Sequence, residues 1–595
     1  MFLNFSKSLH NFSKLFPCFS KLFPNFRKSF RNHSLVLLFP NFSKSLRNFS
    51  KLFPRFIKLF PNFSKSLCNF SKLFPCFSKL FPNFSKLFPR FIKLFRNFRK
   101  SLCNFSKLFP CFSKLFPNFS KLFPRFSKLF RNFSKSFPNF SKLQWIAVES
   151  DSSDVTKRSD LHRMMDMTAE KLRLIGGSVE MVDVGTQTLP NGSSIALPKV
   201  VTARFGEDPS KRTVCVYGHV DVQPAKKEDG WATDPYELTD IDGNLYGRGA
   251  SDNKAPVLAW IHTVEVYKAL NIDLPVNVKF IIEGMEETGS NGLDDMIVAQ
   301  KDSFFSDVDY IIISDCVWLS KRPALTYGTR GNCYFFAEVE GPKKDLHSGV
   351  YGGTVMEPMT DLIGILDKLI SPSGKILIPG IREAVAHLSD EEWKMYQDIE
   401  FDLESYKREI GLSQLMYSNK VDLLAHRWRH PTVSIHGIEG AFSSPGTKTV
   451  IPAKVIAKFS IRQVPNMDPA MVEKQVTDYL HSVFAKRKSP NKLNVTMVIG
   501  AKPWLADPKH PLYEAGKAAV KRVFAVEPDL IREGGTIPIA RSFQDVTGKS
   551  IIMLPIGGFD DGLHSQNEKI SRYNYMEGTK LFIAFLHEVS QMEKH

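Results

Sequence analysis

Acidic and imidazole side chains follow four apolar runs in the second part of the chain. They are His219 and Asp221 after the run 213–217, Glu286 and Glu287 after 276–282, Asp315 after 310–313, and His564 after 550–556. A further acid, Asp252, directly precedes a helical pattern over 255–270. Carboxylates and imidazoles are the ligands that zinc and manganese bind in proteins. These residue types therefore predict a site for divalent cations.

Each of these signals has a simpler explanation when it is taken alone. A histidine and an acid two residues apart are often structural, and a Glu-Glu pair usually lies on a solvated face. Asp252 by itself suits the N-cap of the following helix. Together they are harder to explain, because buried carboxylates without partners cost several kcal/mol. A shared cation is the simplest way to hold them in one place.

The pattern around these residues alternates short apolar runs with amphipathic stretches from Trp145 onward. This alternation is typical of an α/β domain, in which strands form a sheet and helices cover it. Ligands bind in such sheets outside the carboxyl ends of the strands. Four predicted strand ends and one helix start therefore place their side chains at the same edge.

Charge and cysteine content divide the chain at about residue 143. The first 143 residues hold 28 of the 79 Lys and Arg and no Asp or Glu, and the remainder has 51 basic and 61 acidic residues. The high overall charge of +18 therefore belongs to the first segment, and no nucleic-acid or membrane partner is predicted for 144–595. The three cysteines of this part have no CxxC spacing, which indicates neither a disulfide framework nor a zinc-thiolate site.

The first 143 residues repeat a seven-residue unit of the type NFSKLFP and contain 35 of the 50 Phe. Proline in most units excludes a coiled coil, and a Lys or Arg in nearly every unit excludes a transmembrane span. The repeat is interpreted as a disordered segment or as a translated DNA repeat. A cationic module for membranes or nucleic acid is the third alternative. No function is assigned to it.

Six segments carry a resemblance to a known family. GHVDVQP, YGRGASDNK, EGMEETGS, the strand end at Asp315, DLHSGVYGG and DDGLHSQNE are similar to the M20 metallopeptidases, and within them to the carnosine dipeptidase branch. The resemblance covers residues 145–595. It implies an α/β two-metal exopeptidase domain over 144–327 and 501–595. An α+β lid and dimerisation domain is inserted between them, over 328–500.

The resemblance also implies a role for each of the clustered residues. His219 and Asp315 are expected to bind one cation, Glu287 and His564 the other, and Asp252 both. The two cations per subunit would be Zn²⁺ or Mn²⁺. Glu286 is expected to be the general base, and Asp221 to orient the imidazole of His219.

Four further residues match the family's substrate-binding positions. Arg462 is expected to bind the substrate's carboxylate, and His347 to act in the partner subunit's site of a homodimer. Thr449 and Thr536 match hydroxyl positions. Without the resemblance, an arginine in a strand and a histidine in a loop are more often solvated residues.

The expected activity is hydrolysis of dipeptides, foremost β-Ala-His and related Xaa-His dipeptides. The alternative within the family is a nonspecific dipeptidase acting on Cys-Gly and other dipeptides. The alternative from another class is an inactive dimeric binding protein on the same fold. No signal peptide is visible at the start of the sequence. The sequence does not decide between a cytoplasmic and a secreted protein.

Overall fold

A computed structural model describes residues 145–189 and 191–593, so the interpretation of the repeat over 1–143 lies outside the described residues. The α-helices of this part are α1 (Arg158–Leu174), α2 (Lys254–Ala269), α3 (Leu293–Gln300), α4 (Ser348–Tyr351), α5 (Pro358–Leu366), α6 (Asp390–Asp398), α7 (Leu403–Glu409), α8 (Lys420–Trp428), α9 (Pro469–Arg487), α10 (Pro511–Phe524), α11 (Pro538–Thr547) and α12 (Arg572–Ser590). None of these described helices is long and apolar enough to cross a membrane.

The strands up to the middle of the chain are β1 (Ser178–Val182), β2 (Thr186–Thr188), β3 (Ser194–Ala196), β4 (Val200–Phe205), β5 (Thr213–His219), β6 (Thr239–Ile241), β7 (Asn244–Tyr246), β8 (Asn277–Glu283), β9 (Tyr310–Ile313), β10 (Ala324–Thr329) and β11 (Asn332–Glu340). Those that follow are β12 (Leu346–His347), β13 (Thr432–Glu439), β14 (Val450–Ile451), β15 (Lys454–Arg462), β16 (Lys492–Ala501), β17 (Trp504–Leu505), β18 (Asp529–Glu533), β19 (Ser550–Met553) and β20 (Lys569–Ser571).

The main sheet has the strand order β1-β4-β8-β5-β9-β19-β10-β17, with β18 paired to β10. Its four central strands, β8, β5, β9 and β19, are mutually parallel. They are the four apolar runs from which the site was predicted, and their carboxyl ends lie at one edge. The predicted α/β fold is confirmed.

Helices cover both faces of this sheet because its central strands are apolar on both sides. Val214 and Val216 of β5 belong to the core formed with α1, α2, α10 and α12. Cys215 and Tyr217, which alternate with them, belong to the core formed with α3 and α11. Each large side chain buried in this way contributes about 1.5–3 kcal/mol. The sheet edge that carries the site is therefore held between two packed layers.

A small sheet joins two distant parts of the sequence beside the main one. Its strand order is β20-β7-β6, and Ser571, Ile570 and Lys569 pair antiparallel with Asn244, Leu245 and Tyr246. The segment 247–253 leaves β7 and the segment 557–568 enters β20. Asp252 and His564 lie on these two segments, so the β7–β20 pairing brings them together.

A four-stranded antiparallel sheet with the order β13-β15-β11-β16 lies within the predicted insert over 328–500. Helices α5 and α9 pack on it around a core of its own that includes Phe335, Leu362 and Phe459. Helices α6 and α8 share a different core with Trp318 and Ile531. The domain boundaries 144–327, 328–500 and 501–595 stay a prediction.

Candidate metal centre and active site

The first group of cation-type ligands contains His219, Asp252 and Asp315. His219 is the last residue of β5, and its side chain is fully buried. Its Nε2 lies 3.1 Å from Oδ1 of Asp252 and 3.3 Å from Oδ1 of Asp315. Asp315 follows β9, the strand next to β5 in the sheet. Neighbouring parallel strands thus deliver an imidazole and a carboxylate to one point.

The second group contains Asp252, Glu287 and His564. Nε2 of His564 lies 3.0 Å from Oδ2 of Asp252 and 3.1 Å from Oε2 of Glu287. Asp252 therefore uses one carboxylate oxygen toward each histidine. His564 has a φ of +57°, a left-handed backbone conformation that few non-glycine residues adopt. All five predicted ligands are thus brought together, in two groups that share Asp252.

Glu286 lies at the same place but belongs to neither group. It begins a 3-10 turn, Glu286–Thr288, directly after β8, and its Oε2 is 3.9 Å from Nε2 of His219. Burial raises the pKa of Glu286 well above its usual value, and the charges of Asp315 and Glu287 add to this, against the charge of His219. A carboxyl group with a raised pKa at this position can both accept and release a proton.

Asp221 is fully buried behind the histidine and the two glutamates. Its Oδ1 lies 3.3 Å from Nδ1 of His219, the ring nitrogen that faces away from the cluster. Its two carboxylate oxygens also accept the backbone N–H groups of Glu286 and Glu287, at 3.2 and 3.0 Å. One side chain thus holds the imidazole and the glutamate turn at fixed positions.

The donor set and its spacing fit divalent cations. In each group the ligand atoms all lie within 4.8 Å of one another. Donors bonded tetrahedrally to zinc at about 2.1 Å are about 3.4 Å apart, close to the separations of 3.0–3.3 Å measured here. The cluster also concentrates negative charge. Hydrogen bonds with Asp252 and Glu287 raise the pKa of His564 to about 11.

Three neighbouring residues support the cluster and were not predicted from the sequence. Asn253 donates from Nδ2 to Oδ1 of Asp315 at 2.9 Å, and Gln223 donates to Oε2 of Glu287 at 2.8 Å. Glu568 accepts the backbone N–H of Asp252 at 2.9 Å. Each lies within the six segments of the resemblance, next to or a few residues from a predicted ligand. The simpler interpretation of Asp252 as a helix cap is wrong, since α2 is preceded by Asn253 at the N-cap position.

The predicted substrate residues Arg462 and Thr536 contact each other. Arg462 ends β15, and its Nη1 donates to Oγ1 of Thr536 at 2.6 Å. Thr536 follows the pair Gly534 and Gly535, and Nε of Arg330 donates to the carbonyl of Gly534 at 2.9 Å. A guanidinium and a hydroxyl therefore lie side by side.

The other predicted pair, His347 and Thr449, lies on a second exposed element. His347 ends β12, which pairs with β14, and the carbonyl of Thr449 accepts the N–H of Ser348 at 3.2 Å. Both side chains are exposed. Among the described residues, neither side chain hydrogen-bonds to the cation-type cluster, and Nδ1 of His347 accepts the N–H of Gly349.

The sequence profile of peptidase family M20/M25/M40 matches residues 215–588, which include the clustered residues from His219 to His564. The chain belongs to this family. It is a hydrolase of peptide bonds, and the family implies divalent metal cofactors.

Relatives and solved structures agree with this membership. The chain is 55% identical to the beta-Ala-His dipeptidase of Rattus norvegicus over 452 residues, which are 76% of this chain and 92% of the rat protein. It is 46% identical to the Cys-Gly metallodipeptidase dug1 of Schizosaccharomyces pombe over 449 residues, 75% of this chain and 94% of the yeast protein. The crystal structure of human carnosine dipeptidase 1 superposes with a TM-score of 0.74 at 52% identity. That match covers 78% of this chain and 99% of the human chain.

Proposed function

We propose that this peptidase hydrolyses dipeptides, with β-Ala-His and related Xaa-His dipeptides as its preferred substrates. The observation that carries the proposal is the pair of ligand groups around Asp252, with Glu286 beside them as a carboxyl group not used as a ligand. The identity of 55% to a beta-Ala-His dipeptidase, against 46% to a Cys-Gly metallodipeptidase, favours the first substrate class over the second.

The proposed assignment gives two divalent cations to each subunit, Zn²⁺ or Mn²⁺. His219 and Asp315 bind one, Glu287 and His564 the other, and Asp252 both. When bound, the cations polarise the scissile carbonyl and lower the pKa of water at the site. Asp221 keeps the imidazole of His219 in one orientation, because its carboxylate lies against the opposite ring nitrogen.

The proton transfers belong to Glu286 in this proposal. Its carboxylate accepts a proton from the attacking water, and the carboxylic acid then donates that proton to the leaving amine. The position of the side chain supports this role, since it lies 3.9 Å from His219 within the cluster and is not in either ligand group.

Substrate length follows from the proposed binding of the carboxyl terminus. Arg462 and Thr536 form a donor pair for the terminal carboxylate of the substrate. Binding of that terminus limits the enzyme to peptides whose scissile bond lies close to it. We further propose that the enzyme is a homodimer, in which His347 and Thr449 of one subunit act in the site of the other. Their exposure within a single chain supports this arrangement.

The test is removal of the cations with a chelator, followed by addition of Zn²⁺ or Mn²⁺ and rate measurements on β-Ala-His, Cys-Gly and a neutral dipeptide. We expect no activity after chelation, recovery with one of the cations, and the highest kcat/KM for β-Ala-His. A higher kcat/KM for Cys-Gly would favour the nonspecific dipeptidase. Cation binding without hydrolysis of any dipeptide would identify an inactive binding protein on this fold.

A further inference from the structure

Two loops from distant parts of the chain carry the residues that meet at the second ligand group. The aspartate loop, 247–253, follows β7 and contains Asp252, and the histidine loop, 557–568, precedes β20 and contains His564. The two residues are 312 positions apart in the sequence, yet Nε2 of His564 lies 3.0 Å from Oδ2 of Asp252. Something other than chain connectivity must set this distance.

Glu568, the last residue of the histidine loop, makes most of the contacts between the loops. Its side chain is completely buried, and its Oε1 accepts the backbone N–H groups of Ser251 and Asp252 at 2.8 and 2.9 Å. Its Oε2 accepts the N–H of Gly249 at 3.0 Å and Nη1 of Arg248 at 2.9 Å. Four donors of the aspartate loop thus bind one carboxylate four residues after His564.

The surrounding contacts leave this carboxylate little freedom. Arg248 is 3% exposed, so the ion pair with Glu568 is shielded from water. The carbonyl of Glu568 also accepts the N–H of Gly247 at 3.0 Å. A second contact joins the loops where Oγ of Ser251 donates to Oδ2 of Asp561 at 2.9 Å. The aspartate loop is thereby tied to the histidine loop along the residues that lead to Asp252.

We propose that Glu568 is a positioning residue that sets the distance between Asp252 and His564 and thereby maintains the second cation site. This inference rests on the proposed function, since it concerns the cations assigned there. Asp252 and His564 of the second group both depend on Glu568, whereas in the first group only Asp252 does. Asn253 donates to Asp315 there, and β5 and β9 hold His219 and Asp315 through their pairing. The second site therefore loses more affinity than the first when Glu568 is changed.

Glu568→Gln is the variant that separates positioning from simple packing. Glutamine has nearly the same volume but only one acceptor oxygen. An amide N–H₂ group in the place of Oε2 would face both the N–H of Gly249 and the guanidinium of Arg248, so two of the four hydrogen bonds are lost. Changes in side chains that orient metal ligands typically lower metal affinity by about 10- to 100-fold. We expect that loss in one of the two binding steps and a much smaller change in the other.

Asp361→Asn is the matched control. Asp361 is also a fully buried carboxylate bound to an arginine, with Nε of Arg487 at 2.8 Å, but it belongs to α5 on the four-stranded sheet. The partners of its carboxylate that the described chain provides, Arg487, Ser489 and Asn491, lie outside both loops. Asp361→Asn should lower thermal stability and leave both cation-binding steps at wild-type affinity.

The measurement is equilibrium dialysis of the full, chelator-stripped chain against Mn²⁺, with kcat measured in parallel at rising Mn²⁺. We expect two cations per wild-type chain, one weakened step in Glu568→Gln, and recovery of its kcat at high Mn²⁺. A purely structural defect would not be rescued in this way. If Glu568→Gln does not fold, Arg248→Lys decides, because it keeps the charge but weakens one of the four hydrogen bonds to Glu568, with an expected loss of about 2- to 10-fold.

Three results would overturn the inference. They are unchanged Mn²⁺ binding in Glu568→Gln, equal weakening of both Mn²⁺-binding steps in that variant, or the same weakening in Asp361→Asn. If the wild-type chain binds two cations and Glu568→Gln binds them equally well, only the role of Glu568 is wrong. A wild-type chain that binds fewer than two cations would overturn the proposed function as well.

Discussion

The central parallel strands and the four-stranded antiparallel sheet bury their residues in different patterns. All seven residues of β8 are buried, whereas β11 alternates between buried and partly exposed residues along its length. A parallel strand covered by helices on both faces reads as a continuous apolar run, and an antiparallel strand with one open face alternates. Side chains in the middle of such a strand point into the packed layers, so the groups that face the site lie where the strand ends.

The predicted cation ligands and the predicted substrate residues His347 and Thr449 lie in differently buried parts of the molecule. The cation-type ligands lie at the ends of buried strands and on the two loops beside them, and they form both groups within one chain. The predicted substrate residues His347 and Thr449 lie on exposed elements and reach no ligand within the described chain. Cation binding is thus proposed to need one chain, and substrate binding two.

The largest expected fall in kcat comes from changing Glu286, the proposed general base. Glu286→Gln removes the carboxylate without removing a ligand, so kcat should fall by about 10²- to 10⁴-fold, the usual contribution of a general base. Metal analysis of the purified variant should still find two cations. Loss of one cation would mean that Glu286, and not Glu287, is the ligand.

His347→Ala tests whether the exposed side of the molecule completes the site. A lost oxyanion donor costs about 10²- to 10³-fold in kcat, and cation content should not change. Mixed dimers give a sharper result, because a Glu286→Gln subunit can lend its His347 to a His347→Ala subunit. One complete site should then reappear, and mixing two inactive variants should restore activity. Absence of recovery in isolated mixed dimers would contradict the action of His347 between subunits.

Arg462→Ala should act on binding more than on chemistry. Loss of a charged hydrogen bond costs about 1.5–3 kcal/mol, which is about 10- to 150-fold in KM. Arg462→Lys keeps the charge but not the two-pronged geometry, and its KM should lie between those of the wild type and of Arg462→Ala. A fall in kcat with unchanged KM in both variants would exclude Arg462 as the carboxylate ligand.

Removal of the cations should destabilise the wild-type chain. A ligand present at 100 times its Kd stabilises the folded state by about 2.7 kcal/mol, so chelator should lower the Tm in thermal unfolding followed by circular dichroism. Asp252→Ala, which lacks the shared carboxylate, is the control and should show little change with chelator. Equal Tm values for the wild type with and without chelator would argue against bound cations.

The smallest expected effect is a pH dependence on the antiparallel side. His430, just before β13, has its pKa lowered to about 4 by burial and by the charges of His426 and Arg429. Because the unfolded chain binds this proton near pH 6.5 and the folded chain does not, stability is lost as the pH falls from 6.5 to 4. Urea midpoints at pH 7 and 4.5 should differ less in His430→Gln than in the wild type. Equal differences would assign the acid sensitivity to other groups.

The strands and the types of ligand could be predicted from the sequence. The runs 213–217, 276–282 and 310–313 correspond to β5, β8 and β9, and the pattern 255–270 corresponds to α2 within one residue at each end. A continuous apolar run is stable only when it is buried, so the residues of the run are enough to identify the strand or helix. Arg462 and Thr536 were predicted only because their segments resemble those of the M20 metallopeptidases.

The sequence by itself determined which side chains could bind cations and that they follow strands of an α/β sheet. Only the tertiary structure decided that Asp252 faces two histidines and that Glu568 binds four donors of the aspartate loop. Apart from the contact of Asp252 with His219, these contacts join residues more than 300 positions apart, through the pairing of β7 with β20. Local patterns carry no information on such distances, because strand pairing and packing set them after the elements have formed.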